Sequence, residues 1–120
     1  MDRTVLLVAA LAGFIGVALG AFGAHGLRGR LSPEMLAAFE TGVRYQTYHA
    51  LALFATGLLM ARTGGRLIQT AAWLFVAGIV LFSGSLYALS LTGRSTFGAI
   101  TPFGGLALLV GWACLAIAAL

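Results

Sequence analysis

The stretch VLLVAALAGFIGVALGAF, residues 5–22, is an unbroken run of 18 apolar residues. A helix of about 20 such residues, rising 1.5 Å per residue, crosses the ~30 Å hydrocarbon layer of a bilayer. Working outward, the rest of the chain has the same character. Of its 120 residues 61% are apolar and 8% carry a charge, against about 25% charged in an ordinary soluble domain. The mean hydropathy is +1.04. Ten charged side chains cannot cover a chain this small in water, which excludes a soluble globular domain and leaves lipid as the solvent. Met1-Asp2-Arg3-Thr4 before the run resembles the start of a secretory signal. The run exceeds the 7–15 residues of a signal core, however, and is read as a retained span.

Three further apolar runs follow, so the expected spans are about 4–24, 43–61, 67–91 and 102–120. The second is the informative one. Only Ala50 to Ala61 is purely apolar, so a helix that crosses there must take Arg44-Tyr45-Gln46-Thr47-Tyr48-His49 into the membrane or its interface. Ser32-Pro33 and Thr101-Pro102 each set a capping hydroxyl before a proline suited to a first helical position. Helix two is therefore expected to start near Pro33 as an amphipathic interfacial segment, with Glu40 and Arg44 one turn apart. Arg62-Thr63-Gly64-Gly65-Arg66 reads as a tight turn, and residues 92–101 as a loop of about ten.

The expected fold class is thus an all-α membrane protein, a single domain over residues 1–120 forming a four-transmembrane helix bundle. Four spans put the N-terminus, residues 62–66 and the C-terminus on one side, and residues 25–42 and 92–101 on the other. Arg3, Arg62 and Arg66 face Arg28, Arg30, Arg44 and Arg94, a balance that leaves orientation open under the positive-inside rule. The net charge of +4 does not signal nucleic-acid binding, because the arginines stand singly or in pairs at the ends of apolar runs, where headgroup phosphates are their partners. The expected partner is the lipid bilayer, together with further copies of the chain or a larger membrane complex. Seventeen glycines without a triplet period point to close helix packing. Ala12, Gly16, Gly20 and Ala24, at four-residue steps, form a candidate packing stripe, and Gly26 a candidate left-handed helix stop.

The side holding residues 25–42 carries nearly all the hydrogen-bonding groups. His25, Glu40, Arg44, Tyr45, Tyr48 and His49 belong there, and so do Ser83 and Tyr87 at the end of the third run. On helix two Glu40, Thr41, Arg44, Tyr45, Tyr48, His49 and Thr56 share roughly half of the helix circumference, an arc expected to face helices one and three, because polar groups at membrane depth normally face inward. These residues are a candidate ligand or proton site, His49 being able to titrate near neutral pH. The bland reading gives Tyr45 and Tyr48 to the aromatic belt, lets Arg44 reach headgroups and leaves His49 one interhelical hydrogen bond. Two histidines without a cysteine partner or helical His spacing make no metal site, Cys114 is alone, and neither a catalytic motif nor a cofactor motif is present.

The runs GAFGAHGL (20–27), LAAFETGVRYQTYHAL (36–51), FSGSLY (82–87) and ITPFGG (100–105) together resemble the small four-span family catalogued as domain of unknown function 423, itself similar to the eukaryotic transmembrane protein 256 family. The resemblance covers essentially the whole chain. It implies four helices in a bacterial inner membrane and adds weight to His25 and His49, whose motifs supply much of the match, but it implies no activity. The leading functional expectation is a non-enzymatic structural or accessory membrane component. The competing one is a small transporter or ligand-binding protein using the polar side.

Overall fold

Each apolar run becomes a helix. In the computed structural model, which describes residues 1–120, α1 spans Asp2–His25, α2 Pro33–Arg62, α3 Arg66–Thr92 and α4 Ser95–Ala118, and there is no strand. Three of the helices, α1, α3 and α4, are long and apolar enough to cross a membrane. The 30-residue α2 is the longest, about 45 Å, but Tyr45 to His49 dilute its apolar content.

Local chemistry explains most of the boundaries. Ser32 caps α2, its hydroxyl accepting from Met35 N–H at 3.2 Å, with Pro33 in the first turn. Between α2 and α3 the chain reverses through Gly64 and Gly65, at φ +68° and +105°. Gly93 ends α3 in the left-handed conformation, φ +73°. Two sequence expectations are corrected. Gly26 is right-handed, φ −87°; its missing side chain matters because a Cβ there would lie 2.8 Å from the Phe22 ring. And α4 begins at Ser95 rather than at Pro102, so the expected ten-residue loop shrinks to Gly93 and Arg94. Thr101 therefore does not cap. Its hydroxyl lies 2.6 Å from Ser85 Oγ on α3, and the extra turns bring Phe97 and Ile100 beside α3. A capping motif is a local signal, and here tertiary packing overrides it.

The helices pack in a chain of neighbours. α1 lies along α2, and α3 lies between α2 and α4, so α1 and α4 are the outer helices. The buried line on α1 is Val5, Ala9, Gly16 and Gly23, with Gly20 half-buried and Ala24 exposed. A strict four-residue stripe drifts about 40° per step around a helix of 3.6 residues per turn, which carries Ala24 off the contact. At one level Val5, Ala9, Ala52, Leu53, Ala72, Phe75 and Leu108 form a single core drawn from all four helices.

Glycine notches set the α3–α4 contact. The Phe75 ring sits where a Cβ on Gly111 would be, 2.7 Å away, and Leu108 fills the space beside Gly78. Residues Ile79–Ser83 form a π-turn, with Gly84 N–H bonded to Ile79 O. At this wider turn the backbone of Leu81 and Phe82 lies directly on Gly104, where no side chain would fit.

Candidate functional site

The polar side chains between the helices are nearly all in use. Gly16 leaves a gap on α1 that Gln46 and Thr47 of α2 fill; a Cβ there would stand 3.2 Å from Thr47 Oγ1. Through this gap Gln46 Nε2 donates to Ala12 O at 2.8 Å, and Gln46 Oε1 accepts from the Tyr87 hydroxyl at 2.6 Å. One amide thus joins α1, α2 and α3. A turn away, Ser83 Oγ donates to Gly42 O at 2.6 Å, and the bare Gly42 backbone makes room for the Tyr87 ring, which a Cβ would approach to 2.7 Å. Thr56, fully buried, donates back to Ala52 O at 2.7 Å. No buried side-chain nitrogen or oxygen lacks a partner.

His49 is the most constrained of these groups. Its Nδ1 lies 2.8 Å from Tyr45 O, and Trp112 Nε1 of α4 donates to its Nε2 at 3.0 Å. A carbonyl can only accept and an indole N–H can only donate, so the two bonds together require the neutral imidazole with its proton on Nδ1. The ring is 5% exposed and packs with Phe75 and Trp112 at centroid distances of 5.6 and 5.9 Å, an aromatic cluster with one member each from α2, α3 and α4.

Beside this cluster α2 and α4 do not pack together. A groove of about 640 Å³ runs between them, lined by Tyr45 and His49 on one wall, Leu106, Leu109 and Trp112 on the other, and Phe82 of α3. Its exposed walls, with Leu109 68% and Leu106 58% accessible, lie on α4, a candidate span. The Tyr45 ring leans on Phe82 at 4.9 Å and stacks near-parallel to His49 at 6.2 Å. A smaller apolar groove of about 190 Å³ lies between α3 and α4, lined by Val80, Leu81, Ala88, Phe97 and Ile100 among others. Another, of about 320 Å³, between α1 and α2 is lined by Gly20, Gly23, Phe39, Glu40, Val43 and Arg44.

The residues singled out from sequence therefore divide. Ser83, Tyr87 and His49 are drawn inward and bonded across helices. Tyr45 and Tyr48 are exposed and meet edge to face at 5.7 Å, and Tyr45 alone of the two reaches the α2–α4 groove. Glu40 and Arg44 are exposed in the α1–α2 groove and form no ion pair within 4.0 Å, the only such contact being Met1 N with Asp2 at 3.9 Å. His25 is exposed at the end of α1 and lines none of these grooves. The expected inward arc is corrected accordingly. The buried residues of α2 are Phe39, Gly42, Gln46, His49, Ala50, Ala52, Leu53, Thr56 and Gly57, of which only His49 and Thr56 belonged to it. The buried face carries the small and apolar residues at three- and four-residue spacing, while Glu40, Arg44 and Tyr48 turn outward. Gln46, Trp112 and Thr101 were missed as partners. Gln46 had a signal, since a primary amide inside a span needs partners on other helices; Trp112 had none, because nothing local aims an indole N–H at a histidine 63 residues away. No three His, Cys, Asp or Glu side chains come together.

Comparison with known proteins agrees with this picture of an apolar helical chain. Residues 19–105 match a family described as a protein of unknown function, DUF423. The chain belongs to this family. It is 47% identical to the UPF0382 membrane protein YwdK of Bacillus subtilis, over 98% of this chain and 96% of that one. It is 39% identical to the UPF0382 inner membrane protein YgdD of Escherichia coli K12, over 99% and 91%, and 44% identical to a UPF0382 membrane protein of Staphylococcus epidermidis, over 98% and 96%. No solved structure matches. A DUF423 chain with three helices able to span and relatives named as membrane and inner membrane proteins is a multi-pass protein of the bacterial inner membrane.

Proposed function

We propose that this DUF423 chain crosses the bilayer four times and serves as a non-catalytic structural component, working either as an oligomer or as an accessory subunit of a larger membrane complex. The observation that carries the reading is the internal saturation of its polar groups. Gln46, Tyr87, Ser83, Ser85, Thr101, His49 and Trp112 spend their hydrogen-bonding capacity tying α1 to α2, α2 to α3, α3 to α4 and α2 to α4. Groups committed in this way hold helices together, and none of the buried ones is left to bind a solute passing through. A transporter built on His25, Arg44 and His49 has less support, because these three share no cavity.

The crossing of α2 is favoured by its length and by its packing against α1 and α3 over most of that length. On this reading its first turns, Pro33 to about Thr41, lie at the interface.

Two experiments test the proposal. Single cysteines at Gly29, Gly64 and Gly93 in a Cys114→Ala background are labelled in intact cells with a membrane-impermeant maleimide. Gly29 and Gly93 should label from one side and Gly64 from the other; labelling of Gly64 on the same side as Gly29 would show that α2 does not cross. Purification in mild detergent should retain a stoichiometric partner or a defined oligomer, and a clean monomer under those conditions would remove the accessory reading.

A further inference from the structure

We infer that the α2–α4 groove is a binding site for a neutral, lipid-soluble molecule with a flat conjugated ring and a hydrogen-bond-accepting oxygen, a description that fits the quinone class. This goes beyond the structural role above, needing only that α4 and the groove lie at membrane depth.

The first argument is the gap itself. α2 and α4 are bridged by little more than the Trp112–His49 bond, and about 640 Å³ is left between them, twice the volume of the groove between α1 and α2. That volume is in the range of small-molecule sites, which are mostly apolar with a few placed polar groups. The groove follows α4 from Pro102 to Trp112, roughly 15 Å at 1.5 Å per residue. Its mouth is framed by exposed Leu106 and Leu109, so entry is from lipid.

The second argument is the chemistry of the lining. Four rings, those of Tyr45, His49, Phe82 and Trp112, border the space. An aromatic lining of this kind favours a planar guest that can stack on it over a mobile acyl chain. No arginine or acid lines the groove, so a charged headgroup has no counter-ion there. The polar inventory is also small. His49 has both nitrogens occupied, whereas the Tyr45 hydroxyl has no partner within the chain and can donate. A donor at the edge of an aromatic slot complements a carbonyl oxygen on the guest.

The test uses fluorescence of the purified full chain in nanodiscs. The two tryptophans are Trp73 and Trp112, so Trp73→Phe leaves Trp112 as the reporter. Decylubiquinone is the first probe, and phosphatidylcholine brominated on its acyl chains the second. Saturable quenching of Trp112 by the quinone is expected, with quenching of Trp73 in the Trp112→Phe protein rising only linearly. Gly105→Leu should fill the groove without disturbing the helix, since a Cβ at Gly105 meets only the Phe82 ring, at 3.7 Å. It should weaken quinone binding at least about tenfold, and Tyr45→Phe, which keeps the ring and removes the donor, by a smaller factor. Unchanged melting of both variants checks the fold, and Leu106→Phe serves as a second filling variant should Gly105→Leu melt low. Linear quenching by quinone at both tryptophans, or quenching by brominated lipid that quinone does not displace, would overturn the proposal and leave an ordinary acyl-chain groove. Neither result bears on whether α2 crosses, which the labelling experiment decides separately.

Discussion

At Gly104 a hydrogen atom stands where any other residue would place a carbon, and the backbone of Phe82 occupies that space. The contact is backbone against backbone, so no side-chain rotation relieves it. Gly104→Ala should push α3 and α4 apart and lower stability by about 1–3 kcal/mol, the usual range for overpacking. Gly13 provides the control, because a Cβ there meets nothing within 4 Å. Gly13→Ala should leave stability unchanged or raise it by up to about 1 kcal/mol through helix propensity. Unfolding by mixed-micelle titration measures both, and equal effects would refute the notch account. The abundance of glycine was plain in the composition, and close packing followed from it. Which glycines are notches was not, since Gly13 and Gly104 both sit within long apolar helices and differ only in what lies opposite.

Among the elements, α2 carries the organisation of the molecule, because it touches each of the others. Gln46 is its most connected residue, bonding Ala12 O on α1 and the Tyr87 hydroxyl on α3. Gln46→Leu keeps the volume and removes both bonds, leaving the Tyr87 hydroxyl without its partner. Interhelical hydrogen bonds in membranes average about 0.6 kcal/mol and reach about 1.7, so the variant should lose about 1–3 kcal/mol. In the same unfolding assay Tyr87→Phe should recover part of that loss when added to Gln46→Leu, by removing the stranded hydroxyl. Additive losses would mean that the two groups do not act together. The start of α2 at Ser32-Pro33 was legible because both halves of the signal are adjacent in sequence. The start of α4 was misread because an equally regular signal at Thr101-Pro102 is overridden by contacts with α3, which no local rule contains.

Over the whole molecule, charge contributes almost nothing to cohesion. All seven arginines are exposed, and the single close ion pair is local to the N-terminus. Exposed pairs are worth at most about 1 kcal/mol and are screened by salt, so there is little for salt to remove. The melting temperature in a non-ionic detergent should shift by no more than about 2 °C between low and high ionic strength. A shift several times larger would expose electrostatic ties that the fold does not show. The sequence by itself determined the solvent, the number of helices and most of their ends, because hydropathy, turn glycines and a proline cap act within a few residues. Tertiary structure alone decided which face of α2 is buried, that Gln46 and Trp112 supply hydrogen bonds between it and its neighbours, and that His49 and Tyr45 border an open apolar groove while Arg44 and His25 stand elsewhere. Those outcomes depend on which helices lie side by side. In a membrane, small complementary packing and hydrogen-bond terms between distant segments choose those neighbours, and such terms leave little mark on the order of residues along the chain.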